Sequence, residues 1–339
     1  EKVDISATPG SAPDRTNLEV QVVEQSTGDI SFGAGYSTTS GILGDVAIKE
    51  RNLLGKGQEL RFGVSLGTLS TMIDVSFTEP YFLDRPMAAG FDIFRTSNDR
   101  QSVASYSDRS IGFALRAGWA YTEHLRQNVR YTLRQTDIYN VQPWASTIVQ
   151  LNAGTSVVSE VSETIAYDTR DTRLNTTKGL LVRNSVAVAG LIGTEQYFRT
   201  TADAVYYQSI IEDFVASIGG SVGMVLPYNN SSLRLNNLFF IGGDTLRGFA
   251  VGGIGPRDSV TADALGGTYF YSATTELSFP LGLPKEIGIF GKAFVDVGSL
   301  WGLGGPAQYS NTVLTSNTMR VSTGVGIQWV SPFGPIRID

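Results

Sequence analysis

The sequence predicts an all-β protein, an antiparallel up-and-down β-barrel of the transmembrane kind, with 16 strands expected. Three observations carry that reading. Apolar residues recur with period two along most of the chain, no capped stripe of helical period is visible, and connections alternate between tight turns and long loops.

The period is plain in individual segments. In "ISFGAGY", Ile30, Phe32, Ala34 and Tyr36 share one face and Ser31, Gly33 and Gly35 the other. "ELRFGVSL" sets Leu60, Phe62, Val64 and Leu66 against Glu59, Arg61, Gly63 and Ser65. "IGFALRAGWAY" places Ile111, Phe113, Leu115, Trp119 and Tyr121 opposite Arg116, and "RVSTGVGIQW" places Val321, Val325, Ile327 and Trp329 opposite Arg320, Ser322, Gly324 and Gln328. Each is a strand with one greasy face and one polar or small face. Strands are predicted near 29–38, 43–54, 57–67, 71–81, 86–96, 108–121, 124–138, 157–168, 178–190, 195–209, 212–226, 268–280, 286–298 and 319–330, with a fifteenth beginning near 335.

Every second connection is tight: "LGKG", "LDRP", "TEH", "TRDTRLNTT", "IED", "GLPKE" and "SPFGP". The long ones, near 97–107, 139–156, 227–267 and 299–318, all fall at the opposite end, as the outer loops of an outer-membrane barrel do. A soluble β-sandwich or propeller also alternates. Against it stand strands of the roughly 9–11 residues that cross a bilayer at a tilt and aromatics toward strand ends, among them Tyr36, Trp119, Tyr121, Tyr167 and Trp329. No blade-length repeat supports a propeller. A barrel that closes antiparallel requires an even strand count, so the chain is expected to lack its last strand.

Composition narrows the function. Net charge is −6 with no basic block, which argues against nucleic acid as a partner. There is no cysteine, hence no thiolate metal site. Residues 1–27 hold one strand-like run, "NLEVQVVEQ", after a turn, "TPGSAPD", too little for a core of their own. The barrel is expected to occupy 28–339, with the loop near 227–267 folded inward.

Several stretches together resemble the BamA family, the central barrel subunit of the outer-membrane β-barrel assembly machine. They are "ERNLLGKGQEL" (50–60), "FTEPYFLDRPMAAGFDIF" (77–94), "YDTRDTRLNTTKG" (167–179), "FFIGGDTLRGF" (239–249), "FVDVGSLW" (294–301) and "SPFGPIRID" (331–339). The glycine-rich "RGF" loop is shared with a wider superfamily that includes two-partner secretion transporters; "NLLGKGQ" and "EPYFLDRP" narrow the match. The resemblance implies an integral protein of the bacterial outer membrane with its N-terminal side in the periplasm. It implies that 1–27 are the end of the last POTRA domain. Its implied partners are nascent outer-membrane proteins, outer-membrane lipids and accessory lipoproteins reached through periplasmic domains. No cofactor or metal is implied.

Arg247 lies in the longest outer loop, far longer than a hairpin needs. The residues alone leave two readings: a surface arginine in a mobile loop, or an arginine folded into the lumen. Glu276 is opposite Leu277 and Phe279, and Asp296 opposite Val295 and Val297, so both carboxylates are expected to face the interior and could hold an arginine fork. Gly242, Gly243 and Gly248 allow the close turns this needs. The resemblance implies the second reading: Arg247, Gly248 and Phe249 match the family's loop motif, and Glu276 and Asp296 its acidic wall partners.

No catalytic residue is predicted. His124, the single histidine, sits in the "TEHLR" turn, where a solvated turn residue is expected rather than a serine–histidine site. "DTRDTR" (168–173) alternates carboxylates with arginines, which favours turn chemistry over a calcium site, and "GGIGPRD" lacks the spacing of a phosphate loop. The expected function is assembly and insertion of β-barrel proteins, with Ile30, Ser31, Phe32, Gly33, Ala34, Gly35 and Tyr36 as a client-binding edge. Glycine in that strand could equally serve barrel curvature; the resemblance, whose lateral gate is the first-to-last strand seam, favours the edge. The alternative is a secretion or translocation pore lined by Arg61, Arg116, Arg130 and Arg134.

Overall fold

The computed structural model describes residues 2–339 apart from 13, 24–26, 38–40, 174, 306–311 and 332–333. Two strands, β1 (Lys2–Pro9) and β2 (Thr16–Val23), form a separate hairpin. Then comes the wall: β3 (Gly28–Ser37), β4 (Gly41–Leu53), β5 (Gln58–Gly67), β6 (Ser70–Glu79), β7 (Met87–Asp99), β8 (Ser107–Ala120) and β9 (Leu125–Tyr139). It continues through β10 (Gly154–Asp168), β11 (Gly179–Gly193), β12 (Tyr197–Ile211) and β13 (Phe214–Pro227). A two-residue strand, β14 (Arg257–Asp258), lies in the long loop; β15 (Tyr269–Pro280) and β16 (Ile289–Trp301) return to the wall. β17 (Val313–Leu314) pairs with β14, and β18 (Arg320–Ser331) and β19 (Gly334–Ile338) complete the chain.

Apart from β14 and β17, the strands from β3 to β19 make one 15-stranded sheet in sequence order, every neighbour antiparallel. β3 and β19 are its two edges. The loop between β13 and β15 touches Arg134 on β9 and lies against Ser322 on β18, so the sheet curls around it as a barrel wall. Among the described residues no helix is long and apolar enough to cross a membrane; the crossing elements are strands.

Period two separates the two faces. On the outside, Phe77, Phe91 and Phe113 stack across β6, β7 and β8, and Ile93, Leu115, Ile218, Val222 and Val325 are exposed to the surroundings. On the inside, charges pair across neighbouring strands. Arg61 bonds Asp74, and Asp92 accepts from both Arg116 (3.1 Å) and Arg130 (2.6 Å). This is the reverse of a soluble protein, and it follows from placing lipid outside.

Two features depart from the sequence reading. β1 is a strand although its short Val3–Ile5–Ala7 alternation is a weak signal on its own; it is held by the full ladder to β2. The long loops contain two helices, α1 (Gln101–Ala104) and α2 (Thr147–Leu151), of four and five residues, too short to show a helical stripe.

The inside-out faces make a direct prediction. Val222→Arg, in the middle of the lipid face of β13, is expected to cost about 2–4 kcal/mol of unfolding free energy in urea titrations from phospholipid vesicles. Thr96→Arg, which points into the lumen cavity, is expected to cost far less.

Candidate functional site

The site begins with a loop that carries its own core. Within residues 228–268, Leu233, Leu235, Leu238, Ile241, Leu246 and Leu265 are all buried. They pack against Ile138, Val158, Ala189, Tyr197, Val225 and Leu300 of the wall, and against Ala104, Tyr106, Ile148 and Val149 of neighbouring loop segments. The loop is therefore a plug whose apolar side chains are removed from water inside the barrel. Its backbone closes on itself through bridges Phe239–Gly267 and Ile241–Ile254.

The turn at the inner end of the plug presents Arg247. Gly242 has φ of 123°, and a β-carbon there would lie 2.0 Å from the Ala250 carbonyl oxygen, so only glycine fits. Gly243 donates its N–H to the Phe249 carbonyl (2.8 Å), Gly248 lies against Ser322 of β18, and Phe249 packs on the plug core. The Arg247 fork then meets the wall. Nε and Nη2 donate to the two carboxylate oxygens of Asp296, both at 2.6 Å, and Nη1 donates to Glu276 Oε2 at 2.8 Å. The Arg247 backbone N–H adds a bond to Asp296 Oδ2 at 3.2 Å. Side-chain exposure is 12% for Arg247, 11% for Glu276 and 2% for Asp296.

A wider cluster surrounds the fork. Lys292 Nζ donates to Glu276 Oε1 (2.6 Å), Arg337 reaches Glu276 Oε2, and Asp339 Oδ2 is 3.6 Å from Arg247 Nη1. Three cations thus face three carboxylates. The guanidinium carbon sits 3.4 Å from the centre of the Phe294 ring. That ring is 2.4 Å from where a Gly324 β-carbon would be, so the glycine on β18 makes room for it. The structure brings Arg247, Glu276 and Asp296 together with Gly243, Gly248 and Phe249 beside them. Sequence reasoning missed Lys292 and Phe294, which share the inward parity of Asp296 and were legible on that ground.

A second polar tie lies across the lumen. Arg134 Nη2 donates to Asn237 Oδ1 (2.9 Å) and to the Tyr197 hydroxyl (3.2 Å), and Tyr197 in turn donates to Glu160 (2.6 Å). Asn237 also bonds Glu195, which is buried. Asp263 accepts from Ser105 Oγ (2.6 Å) and the Ser146 N–H (2.7 Å), joining the plug to both helical loop segments.

The β3 residues lie apart from this cluster. They pair with β4, Ile30 opposite Ile48, Phe32 opposite Val46 and Ala34 opposite Gly44. The Arg51 N–H donates to the Thr27 carbonyl, which fixes the phase of the ladder. Thr27, Asp29, Ser31, Gly33 and Gly35 therefore turn their backbone groups toward β4, while Ile30, Phe32, Ala34 and Tyr36 turn theirs to the outer edge. Ile30 and Phe32 are 61% and 78% exposed. The Tyr36 side chain lies outside the described residues.

Of the remaining candidates, His124 Nδ1 lies 3.0 Å from the Asp168 carbonyl oxygen in a turn. In "DTRDTR", Arg170 holds the Asp168 carboxylate with two bonds of 2.9 Å. Asp171 accepts from the Thr177 hydroxyl and from the amides of Thr177, Thr172 and Lys178, which hold its carboxyl down at about 2. These are turn contacts.

Fold and site define a membrane β-barrel whose longest loop is folded into the lumen and ion-paired to the wall. The chain belongs to the Omp85 superfamily, whose domain matches residues 52–339. It is 30% identical over 323 residues to the outer membrane protein assembly factor BamA of Neorickettsia risticii, covering 95% of this chain and 43% of that protein. It is 27% identical over 351 residues to a SAM50-like protein of Schizosaccharomyces pombe, covering 100% of this chain and 72% of that one. The solved structure of BamA from Haemophilus ducreyi lacking POTRA domains 1–3 has the same fold, with a TM-score of 0.87 at 24% identity, over 99% of this chain and 70% of that chain. The chain thus spans less than half the length of the curated BamA it matches. These relatives agree with the BamA-family resemblance of the sequence motifs.

Arg247→Glu would place a further carboxylate against Glu276 and Asp296, leaving only Lys292 and Arg337, both already engaged by Glu276, to offset it. The folded form is expected to lose its fast mobility at a lower temperature on a semi-native gel, and trypsin to gain access to Arg257. Arg247→Lys keeps the charge without the fork, so a smaller shift is expected. Unchanged heat resistance in Arg247→Glu would refute the pin.

Proposed function

We propose that this chain is the barrel part of an assembly factor that inserts β-barrel proteins into the bacterial outer membrane, with β3 as the template for an incoming client strand. The observation that carries the reading is the β3 edge. Ile30, Phe32 and Ala34 combine outward-turned backbone donors and acceptors with apolar or small side chains. A client strand adding there gains backbone bonds on one side and buries apolar surface against lipid-facing neighbours. Its own folding drives the reaction, so no nucleotide is required.

In this reading the Arg247 cluster acts as a loop lock. It keeps the β13-to-β18 side of the wall in shape while the β3 side opens. Residues 1–27 are the end of a periplasmic POTRA domain, which puts the short turns in the periplasm and the plug-bearing loop outside. The clients are nascent outer-membrane proteins. Outer-membrane lipids surround the edge, and accessory lipoproteins act through the periplasmic domains. The names of the relatives support this reading.

The absence of cysteine makes the test direct. Single cysteines replacing Ile30, Phe32 or Ala34 are expected to form disulfides with cysteines along a stalled barrel precursor, in one fixed antiparallel register. Adducts only to the chain's own strands, while clients still assemble, would remove the template. A steady large conductance would then favour a translocation pore.

A further inference from the structure

The two tight turns nearest the β3 edge are built unlike ordinary hairpin turns. In the β4–β5 turn, Leu54 has φ of 55°, and in the β6–β7 turn, Leu83 has φ of 57°. Left-handed backbone favours glycine or asparagine, and a leucine there is strained. Both leucines nevertheless point away from the protein, 84% and 72% exposed, beside exposed Tyr81 and Phe82.

The turns are also stiff and joined. Asn52 Oδ1 accepts the Gly57 N–H (2.6 Å), Glu79 Oε1 accepts the Tyr81 N–H (3.2 Å), and Gln58 donates to Glu79 Oε2 across the two hairpins (2.8 Å). They form one platform that carries four outward apolar side chains. Lys56 and Arg85 flank these side chains, both exposed and without an ion pair among the described residues. Directly above lies the outward aromatic stack of Phe77 and Phe91, which with Leu115 lines the same groove as Tyr81, Phe82 and Leu83. The platform is thus continuous with the lipid-facing wall. Across the barrel, the tip of the β12–β13 turn is instead charged, Glu212 and Asp213.

We propose that this platform is a phospholipid anchor. Leu54, Tyr81, Phe82 and Leu83 enter the acyl-chain boundary at the short-turn end, and Lys56 and Arg85 meet the headgroup phosphates. Apolar tips flanked by basic side chains suit an anionic bilayer surface. The anchor seats the wall beside β3 in the leaflet and holds that edge in register with the bilayer. The inference rests on the membrane-barrel fold and not on assembly activity.

Nitroxide depth measurement tests it without any client. Leu54→Cys and Leu83→Cys are spin-labelled in the otherwise cysteine-free chain and reconstituted into phosphatidylethanolamine–phosphatidylglycerol vesicles. Leu115→Cys is the acyl-chain reference and Glu212→Cys the aqueous one, with folding checked by semi-native gel. Collisions with oxygen are expected to exceed those with a water-soluble nickel chelate at 54 and 83, severalfold above the ratio at 212. Adding Lys56→Glu and Arg85→Glu is expected to shift both labels toward water. Labels at 54 and 83 that report water as label 212 does would overturn the anchor and assign the patch to a protein partner. Labels unmoved by the charge reversals would overturn the headgroup contact.

Discussion

A guanidinium drawn out of water must meet fixed negative charge, and the inner end of the plug is built around that requirement. Arg247 cannot shed its proton, so leaving it unmatched in the lumen would cost several kcal/mol. Asp296 answers with both oxygens, Glu276 with a third, and the Phe294 ring covers one face of the plane. Lysine would offer a point charge where the wall offers a fork-shaped acceptor. The pairing and the apolar plug depend on each other. Burial of Leu246, next in sequence, brings the arginine to the wall, and the ion pairs give a glycine-rich loop one position among the many its backbone allows.

The barrel is consequently unequal around its circumference. The plug bonds or packs against the wall from β9 through β18, where polar ties such as Arg134–Asn237 supplement the apolar contacts. Along β3 to β7 the inner face instead borders an open cavity of about 860 Å³, lined by Asp45, Arg61, Asp74 and Asp92 among others. One side is filled and braced. The other has cross-strand ion pairs, a hollow, and a ten-residue strand at the sheet edge. In the proposed function this inequality separates the part that holds shape from the part that yields, and the strained leucine turns sit beneath the yielding part.

Much of this is legible in the sequence. Lipid outside and polar lumen inside impose period two on every wall strand, so Glu276 and Asp296 could be turned inward by parity alone. Lys292 and Phe294 obey the same parity and were open to the same argument. The plug is different in kind. Asn237 with Glu195, and Asp263 with Ser105 and Ser146, join segments far apart in sequence through irregular backbone, and no period encodes such meetings. β1 was missed because a short alternation gains its meaning only from its partner β2. The left-handed leucines were invisible for a related reason, since leucine in a turn does not announce its φ.

Arg247 and Asp296 hold plug and wall as a unit, and a double-mutant cycle measures that coupling. Arg247→Ala, Asp296→Ala and the double variant would be unfolded by urea in phospholipid vesicles. Arg247→Ala strands the buried Asp296 carboxylate and is expected to cost about 3–5 kcal/mol, and Asp296→Ala, which leaves Arg247 its bond to Glu276, somewhat less. The double variant should cost scarcely more than Arg247→Ala alone, giving a coupling energy close to the cost of Asp296→Ala. Costs that simply add would mean that the two groups act independently, and that the pin is not what holds the loop inside the barrel.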